Sequence, residues 1–315
     1  MPIHLVTGGA GFIGSNIARE LLKRGKAVRI LDNFSTGYRS NIADIRSDIE
    51  VVEGDLRSYH IVNEAMKGVE VVYHQGALPS VPRSIADPLT SNEVNVSGTL
   101  NVLFAALEQG VRRLTFASSS SIYGNAPEQV KSEDLHVRPL SPYAVSKLAG
   151  EKYFQVFNNI YGLETVALRY FNVFGPWQDP DSPYSAVIPL FVKAFMEGRA
   201  PVINGDGLQS RDFTYIANVV HGNLLAADAP LAPGNVINVA CNGSVTVNSL
   251  ASQIAALTGR SDISPVYGPD RSGDVKHSMA DISRAKELLG YEPVVSFSQG
   301  LAETVEFYME HGFGK

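Results

Sequence analysis

The sequence predicts an α/β protein, a doubly wound parallel sheet joined to a smaller mixed α/β domain. Three observations predict it. Short apolar runs alternate with helical patterns through the first half of the chain. The first of these runs passes directly into a glycine-rich turn and then a helix. Gly, Pro and Asp then accumulate in Gly175-Pro176-Trp177-Gln178-Asp179-Pro180-Asp181-Ser182-Pro183, as at a domain boundary, and shorter elements follow. The expected division is 1–172, joined again by about 214–240, and a smaller domain over 173–315.

The elements follow in order. Ile3-His4-Leu5-Val6 reads as a strand, Thr7 to Gly14 as a tight turn, and Asn16 to Arg24 as a helix stopped by Gly25. Gly9, Gly11 and Gly14 fit G-x-G-x-x-G, and Gly8, Gly11 and Gly14 fit G-x-x-G-x-x-G. Between a strand and a helix, such glycines let backbone amides and the helix N-terminus approach a pyrophosphate, as in a Rossmann dinucleotide site. A second strand, Ala27 to Leu31, ends at Asp32, whose carboxylate suits both adenosine ribose hydroxyls and repels a 2′-phosphate. That favours NAD over NADP, although Arg39 nearby pulls the other way.

A third strand spans Val51 to Leu56 and brings Asp55 towards an adenine amino group; a fourth spans Val69 to His74 and opens into Gln75-Gly76-Ala77-Leu78-Pro79-Ser80. Thr90 to Gln109 reads as one long helix. Arg113 to Ala117 is the fifth strand, ending in Ser118-Ser119-Ser120-Ser121, where a substrate-facing hydroxyl is expected. A helix runs from Tyr143 to about Tyr161, and Glu164 to Leu168 is the sixth strand. Beyond the boundary come a helix at Val187 to Glu197, the stretch Val202 to Gly207, and helices near 216–228, 247–258, 281–289 and 298–310.

Composition narrows the function. The 315 residues are 44% hydrophobic and 18% charged, with a net charge of −6, which argues against a general nucleic-acid or acidic-membrane binder. No apolar run reaches the length of a membrane span, and the single Cys241 excludes an internal disulfide; a cytoplasmic location is expected. The seven histidines show no metal-ligand spacing, so no metal is expected.

Tyr143 and Lys147 stand four residues apart and share a helical face, so an ammonium can sit beside a phenol, lower its pKa and make it a general base. On its own the pair is close to what chance produces. After a nucleotide-binding half and a serine-rich strand end, it reads as a redox acid–base centre.

With these motifs in this order, the sequence resembles the extended short-chain dehydrogenases/reductases, and within them the NAD-dependent UDP-sugar 4-epimerases, nearest to those acting on UDP-N-acetylglucosamine. Thr7 to Gly14, Asp32, His74 to Ala77, Ser118 to Gly124, Tyr143-x-x-x-Lys147, Leu168 to Asn172, Arg211-Asp212-Phe213 and Arg271 to Asp274 carry it. The resemblance implies Tyr143 as base, Lys147 as its partner and a holder of the nicotinamide ribose, and Ser119 on the reacting sugar oxygen. It implies cofactor contacts from Gly8, Gly11, Phe12, Ile13 and Gly14, from Asp32, Asn33, Ser35, Thr36 and Gly37, and from Asp55 and Leu56. Gln75, Gly76, Ala77, Pro79, Asn95 and Phe171 complete that set.

For the nucleotide sugar it implies Ser80, Ser119, Ser120, Ser121, Tyr143, Asn172, Val187, Ile203, Asn204 and Asp274, with Arg211 and Arg271 taking the diphosphate. Ser278 matches a gate beside the sugar 2-substituent; being small, it points to UDP-GlcNAc/UDP-GalNAc interconversion, with UDP-Glc/UDP-Gal as the other pair. Ser120-Ser121 replaces the Asp-Glu pair that dehydratases of the family use, and Trp177-Gln178-Asp179 replaces the Arg with which glucuronate epimerases hold a carboxylate. Asn218 departs from the Asp of many relatives. A homodimer through a four-helix bundle is implied, with the Asn95 and Tyr143 helices pairing and Leu100, Leu103, Val156 and Phe157 offering apolar surface. The competing readings are a nucleotide-sugar reductase, which Asp32 disfavours, a dehydratase, and a non-catalytic NAD-binding protein, which has no use for Tyr143, Lys147 and Ser119 together.

Overall fold

A computed structural model describes residues 2–180, 186–269 and 276–313; Arg271 and Asp274 lie outside the described residues. The first half alternates strand and helix: β1 (Ile3–Thr7), α1 (Phe12–Lys23), β2 (Ala27–Asp32), β3 (Ile49–Glu53), α2 (Tyr59–Met66), β4 (Val69–His74), α3 (Val81–Ala86), α4 (Pro88–Asn92), α5 (Gly98–Glu108) and β5 (Arg113–Ser119). After the short β6 (Val130–Lys131) come α6 (Pro142–Tyr161) and β7 (Glu164–Tyr170). The second half is made of smaller pieces: β8 (Val173–Phe174), α7 (Val187–Met196), β9 (Val202–Asn204), β10 (Ser210–Arg211), β11 (Thr214–Tyr215), α8 (Ile216–Asp228) and β12 (Val236–Val239), then β13 (Val245–Thr246), α9 (Val247–Leu257), β14 (Val266–Gly268), β15 (His277–Ala280), α10 (Ser283–Leu289) and α11 (Phe297–His311).

Seven parallel strands form one sheet in the order β12-β7-β5-β4-β1-β2-β3. The winding reverses between β1 and β4, and a crevice opens there at the strand C-termini. Alternate strand residues enter opposite core layers, as a sheet covered on both faces requires. Val6, Val166 and Leu168 pack on the α1 and α8 side; Leu5 and Ala167 pack with α2, α5 and α6. A mixed sheet, β13-β10-β15-β6, and the pairs β8/β11 and β9/β14 build the smaller part, with the returning β12 joining the large sheet.

One expectation changes. The helix expected over 90–109 is broken into α4, a π-turn at Glu93–Ser97 and α5. The wide turn holds Asn95, whose amide serves partners outside the helix; insertions of this kind mark functional positions. Asn218, where many relatives have Asp, acts as a clamp. Its oxygen accepts from the amides of Val294 (2.8 Å) and Val295 (3.0 Å), while its Nδ2 donates to the Val295 carbonyl (2.8 Å). Only an amide, with a donor and an acceptor, satisfies both.

A buried ion pair fixes the helix carrying Tyr143. Glu151 of α6 is fully buried and accepts from Arg169 of β7 at 2.9 Å through both oxygens; Ser118 of β5 donates to the same carboxylate at 2.5 Å. Bidentate geometry with a further donor is what lets such a pair offset its loss of hydration.

Candidate active site

A cavity of about 510 Å³ opens at the sheet crevice. Its walls include Gly8, Gly11, Phe12, Ile13 and Gly14, then Asp32, Asn33, Ser35, Thr36 and Gly37, then Asp55 and Leu56, with Gln75, Gly76, Ala77 and Pro79 opposite; Tyr143 and Lys147 also line it. These predicted positions therefore meet in one place, although they span much of the chain.

The glycine cradle fits a dinucleotide. Gly8 has φ +66°, and a Cβ there would sit 2.7 Å from Gly76 Cα; a Cβ on Gly14 would sit 2.2 Å from the Gly8 carbonyl oxygen. Only glycine allows this closeness. Gly11 leads into α1 without a side-chain cap, so the first-turn amides of that twelve-residue helix remain available to an anion. Asp32 is placed by the amides of Ala10 (2.9 Å) and Phe34 (2.8 Å), with carboxylate lone pairs left for ribose hydroxyls. Arg39 stacks on Phe34 at 3.9 Å and pairs with Glu53 at 2.7 Å. Asp55 pairs with Arg57, which holds its carboxyl down at about 2.

A hydrogen-bond chain locks the two cradle strands together. Thr99 donates to the Asn95 carbonyl (2.6 Å), so its oxygen accepts from His74 Nε2 (3.0 Å); His74 Nδ1 then accepts from Thr7 (2.7 Å), whose oxygen takes the Gly76 amide (3.1 Å). His74 is buried beside the stacked Phe116 and Phe154 rings, and that burial lowers its pKa to about 3.

At the inner end, Ser141 caps α6 by accepting from the Ala144 amide (3.1 Å), and Ser84 of α3 accepts from the Tyr143 amide (3.0 Å). Ser119 stands near the Tyr143 phenol and favours its ionised form. Lys147 Nζ donates to the Ala117 carbonyl at 2.9 Å and lies 5.8 Å from the centre of the Tyr143 ring. The expected lowering of the phenol pKa is not what this geometry produces. Burial dominates both groups, pushing Tyr143 up to about 12 and Lys147 down to about 7, because neither has an opposite charge in contact. The serines divide their work. Ser118 serves Glu151, Ser119 faces Tyr143 and accepts from the Ser121 amide (3.1 Å), and the Ser121 hydroxyl is buried with no partner in the protein.

A second cavity of about 280 Å³ adjoins the first, with Ala186 on both walls. Asn172, Val187, Ile203, Asn204 and Arg211 line it. Ser278 lines neither cavity; it pairs in register with Arg211 on the adjacent strand. Ser80, Ser119, Ser120 and Ser121 are also absent from both walls, and Ser80 caps α3 from a strained φ of +95°. Asn95 and Phe171 are buried behind the cavity: the Asn95 amide accepts from Leu78 N (2.7 Å) and donates to Ser146 (3.1 Å), and Phe171 packs in the core against Tyr123.

Sequence reasoning passed over Tyr170, Gln178, Asp179 and Arg57 as cavity walls. Tyr170 ends β7, where the rule that ligands sit at strand C-termini could have found it. Among the described residues no three His, Cys, Asp or Glu side chains form a metal cluster, and no helix is long and apolar enough to cross a membrane.

Residues 4–240 match the model of the NAD dependent epimerase/dehydratase family. A UDP-glucose 4-epimerase of Mycolicibacterium smegmatis is 38% identical over 96% of this chain and 97% of its own length. Among solved structures, a UDP-N-acetylglucosamine 4-epimerase from Methanobrevibacter ruminantium M1, in complex with UDP-N-acetylmuramic acid, is 40% identical with a TM-score of 0.93, covering 98% of both chains. A Thermus thermophilus UDP-glucose 4-epimerase in complex with NAD is 36% identical with a TM-score of 0.89, covering 98% of this chain and 99% of that one. The cradle, the Tyr143–Lys147 helix and these likenesses agree: the chain belongs to the NAD-dependent epimerase/dehydratase family.

Proposed function

We propose that this protein, an NAD-dependent UDP-sugar 4-epimerase by its family, interconverts UDP-N-acetylglucosamine and UDP-N-acetylgalactosamine at C4. The observation that carries the chemistry is the Tyr143 phenol, near Ser119 and one helical turn from Lys147, at the inner end of a dinucleotide cavity. When bound, NAD supplies a reversible hydride acceptor for C4 and, in its oxidised form, the positive ring that favours a phenolate. Tyr143 Oη takes the C4 hydroxyl proton and returns it; Ser119 orients the sugar oxygen and the phenol together. Lys147, held by the Ala117 carbonyl, is placed to bind ribose hydroxyls. Anchored by its diphosphate, the oxidised sugar would turn within the site and present the other face of C4 to the cofactor, while Tyr143 returns the proton to the C4 oxygen.

The second cavity is the proposed nucleotide seat, with Asn172, Val187, Ile203, Asn204 and Arg211 around it; Ser278, on the strand beside Arg211, is the proposed gate, its small side chain leaving room for an N-acetyl group. The larger sheet with β12 is the proposed NAD-binding domain and the remainder the sugar-nucleotide domain. We also propose a homodimer. On α6, Val145, Val156, Ile160 and Tyr161 are exposed, with Ile85, Leu89 and Phe104 alongside, whereas Leu103 and Phe157 face the core. Contiguous apolar surface of this kind marks an interface.

The test is to incubate purified protein separately with UDP-GlcNAc and UDP-Glc, without added cofactor, and to separate the products. An equilibrium mixture from UDP-GlcNAc supports the reading. Turnover of UDP-Glc alone moves the gate to the smaller sugars, and reduction seen only with NADPH refutes epimerisation.

A further inference from the structure

Gln178 and Asp179 wall the cofactor cavity, yet neither belongs to the large sheet or its crossover helices. What holds them there is a cluster on the outer side of their loop. Trp177 has φ +70°, an unfavourable backbone for a bulky residue. Its ring is wedged between Arg19 of α1, whose guanidinium lies 4.4 Å above it, and Phe307 of α11, whose ring centre is 4.9 Å away edge-on. On either side of it, Asn16 of α1 donates to the Pro176 carbonyl (3.3 Å) and Tyr308 of α11 donates to the Gln178 carbonyl. Tyr38, next to the glycine cradle, donates to Asp179 at 2.6 Å.

We infer that Trp177 is a positioning residue for the cofactor: fastened between α1 and the C-terminal helix, it holds Gln178 and Asp179 across the cavity from the glycine turn and so retains NAD between the two half-reactions. The strained backbone is tolerated because Arg19 and Phe307 both hold the ring. Retention matters because the electrons removed from C4 must return to the same sugar; a site that lets its reduced cofactor go leaves an oxidised sugar and an enzyme that cannot finish. The inference rests on the NAD site alone and is indifferent to which sugar is turned over.

Two variants test it. Trp177→Asn removes the ring while keeping a residue at ease with a positive φ, and Tyr308→Phe removes one hydroxyl with little risk to folding. The dissociation rate of NADH, chased with excess NAD and followed by fluorescence, should rise about tenfold in Trp177→Asn, in keeping with the loss of one aromatic pair and one cation–π contact. Tyr308→Phe should shift it in the same direction. Less NAD should survive gel filtration, while kcat recovers at saturating NAD and KM for the sugar nucleotide stays unchanged. Wild-type dissociation from the folded variants would overturn the inference, as would a kcat that stays low with the cofactor site filled. Should Trp177→Asn fail to fold, Tyr308→Phe decides alone.

Discussion

Replacing Lys147 by Met should make the NAD-free protein more stable while stopping turnover. Lys147 is 4% exposed, and its ammonium meets one carbonyl and no carboxylate. Burial draws its pKa from 10.5 to about 7. At about 1.4 kcal/mol per unit, a shift of that size corresponds to about 4 kcal/mol of lost stability at pH 7. Water penetration and relaxation reduce such penalties, and Met forfeits the bond to Ala117, worth about 1 kcal/mol. A net gain of about 2 kcal/mol remains, or about 3 °C in melting temperature for a chain of this size. The sign follows from linkage. The folded pKa is depressed, so between pH 7 and 10.5 the unfolded chain binds more protons than the native one, and wild-type stability from this group rises with pH. The advantage of Met should therefore be largest near pH 7 and shrink towards pH 9.5. Thermal melts of both proteins, stripped of NAD, at the two pH values provide the assay. A Met variant that melts below wild type at pH 7, or whose difference does not change with pH, would refute the claim that Lys147 is held there at a cost to stability.

Four further outcomes are expected. Tyr143→Phe should keep NAD binding near normal and slow turnover by about 10²-fold or more; full activity in steady-state assays would exclude Tyr143 as the base. Ser278→Tyr should abolish use of the N-acetylated sugar while sparing UDP-Glc, and equal loss on both substrates would refute the gate. Glu151→Gln removes the charge that Arg169 faces inside the protein, which should lower stability by about 3–5 kcal/mol in urea titrations; a loss under about 1 kcal/mol would show the pair to be dispensable. Ile160→Asp, on the exposed face of α6, should turn a dimer into a monomer by light scattering, and an unchanged mass would place the interface elsewhere.

The sheet and the cradle were legible in the sequence because their causes are local. Val6 and Leu5 alternate between layers, Gly8, Gly11 and Gly14 fall at the turn where only glycine fits, and Asp32 closes a strand. The pairing of Tyr143 with Lys147 was equally local, but their pKa values were not: burial depends on everything packed around α6, and it reverses the direction expected for the phenol. Asn95 and Phe171 sit close to the cavity in sequence terms, yet a π-turn and core packing place them behind its wall. Gln178 and Asp179 could not be assigned to the wall because their placement depends on Tyr38 and Tyr308, more than a hundred residues away.

The direction of every proton between Asn95 and Gly76 has a consequence for acid tolerance. Thr99 spends its hydrogen on a carbonyl and Thr7 spends its own on His74 Nδ1, so the imidazole can gain a proton only by turning Thr7 away from it. With a pKa of about 3, His74 stays neutral where ordinary histidines charge. The junction between the first and fourth strands is thus insulated from mild acidification, and an acid limb in a pH–rate profile above pH 5 has its origin elsewhere in the molecule.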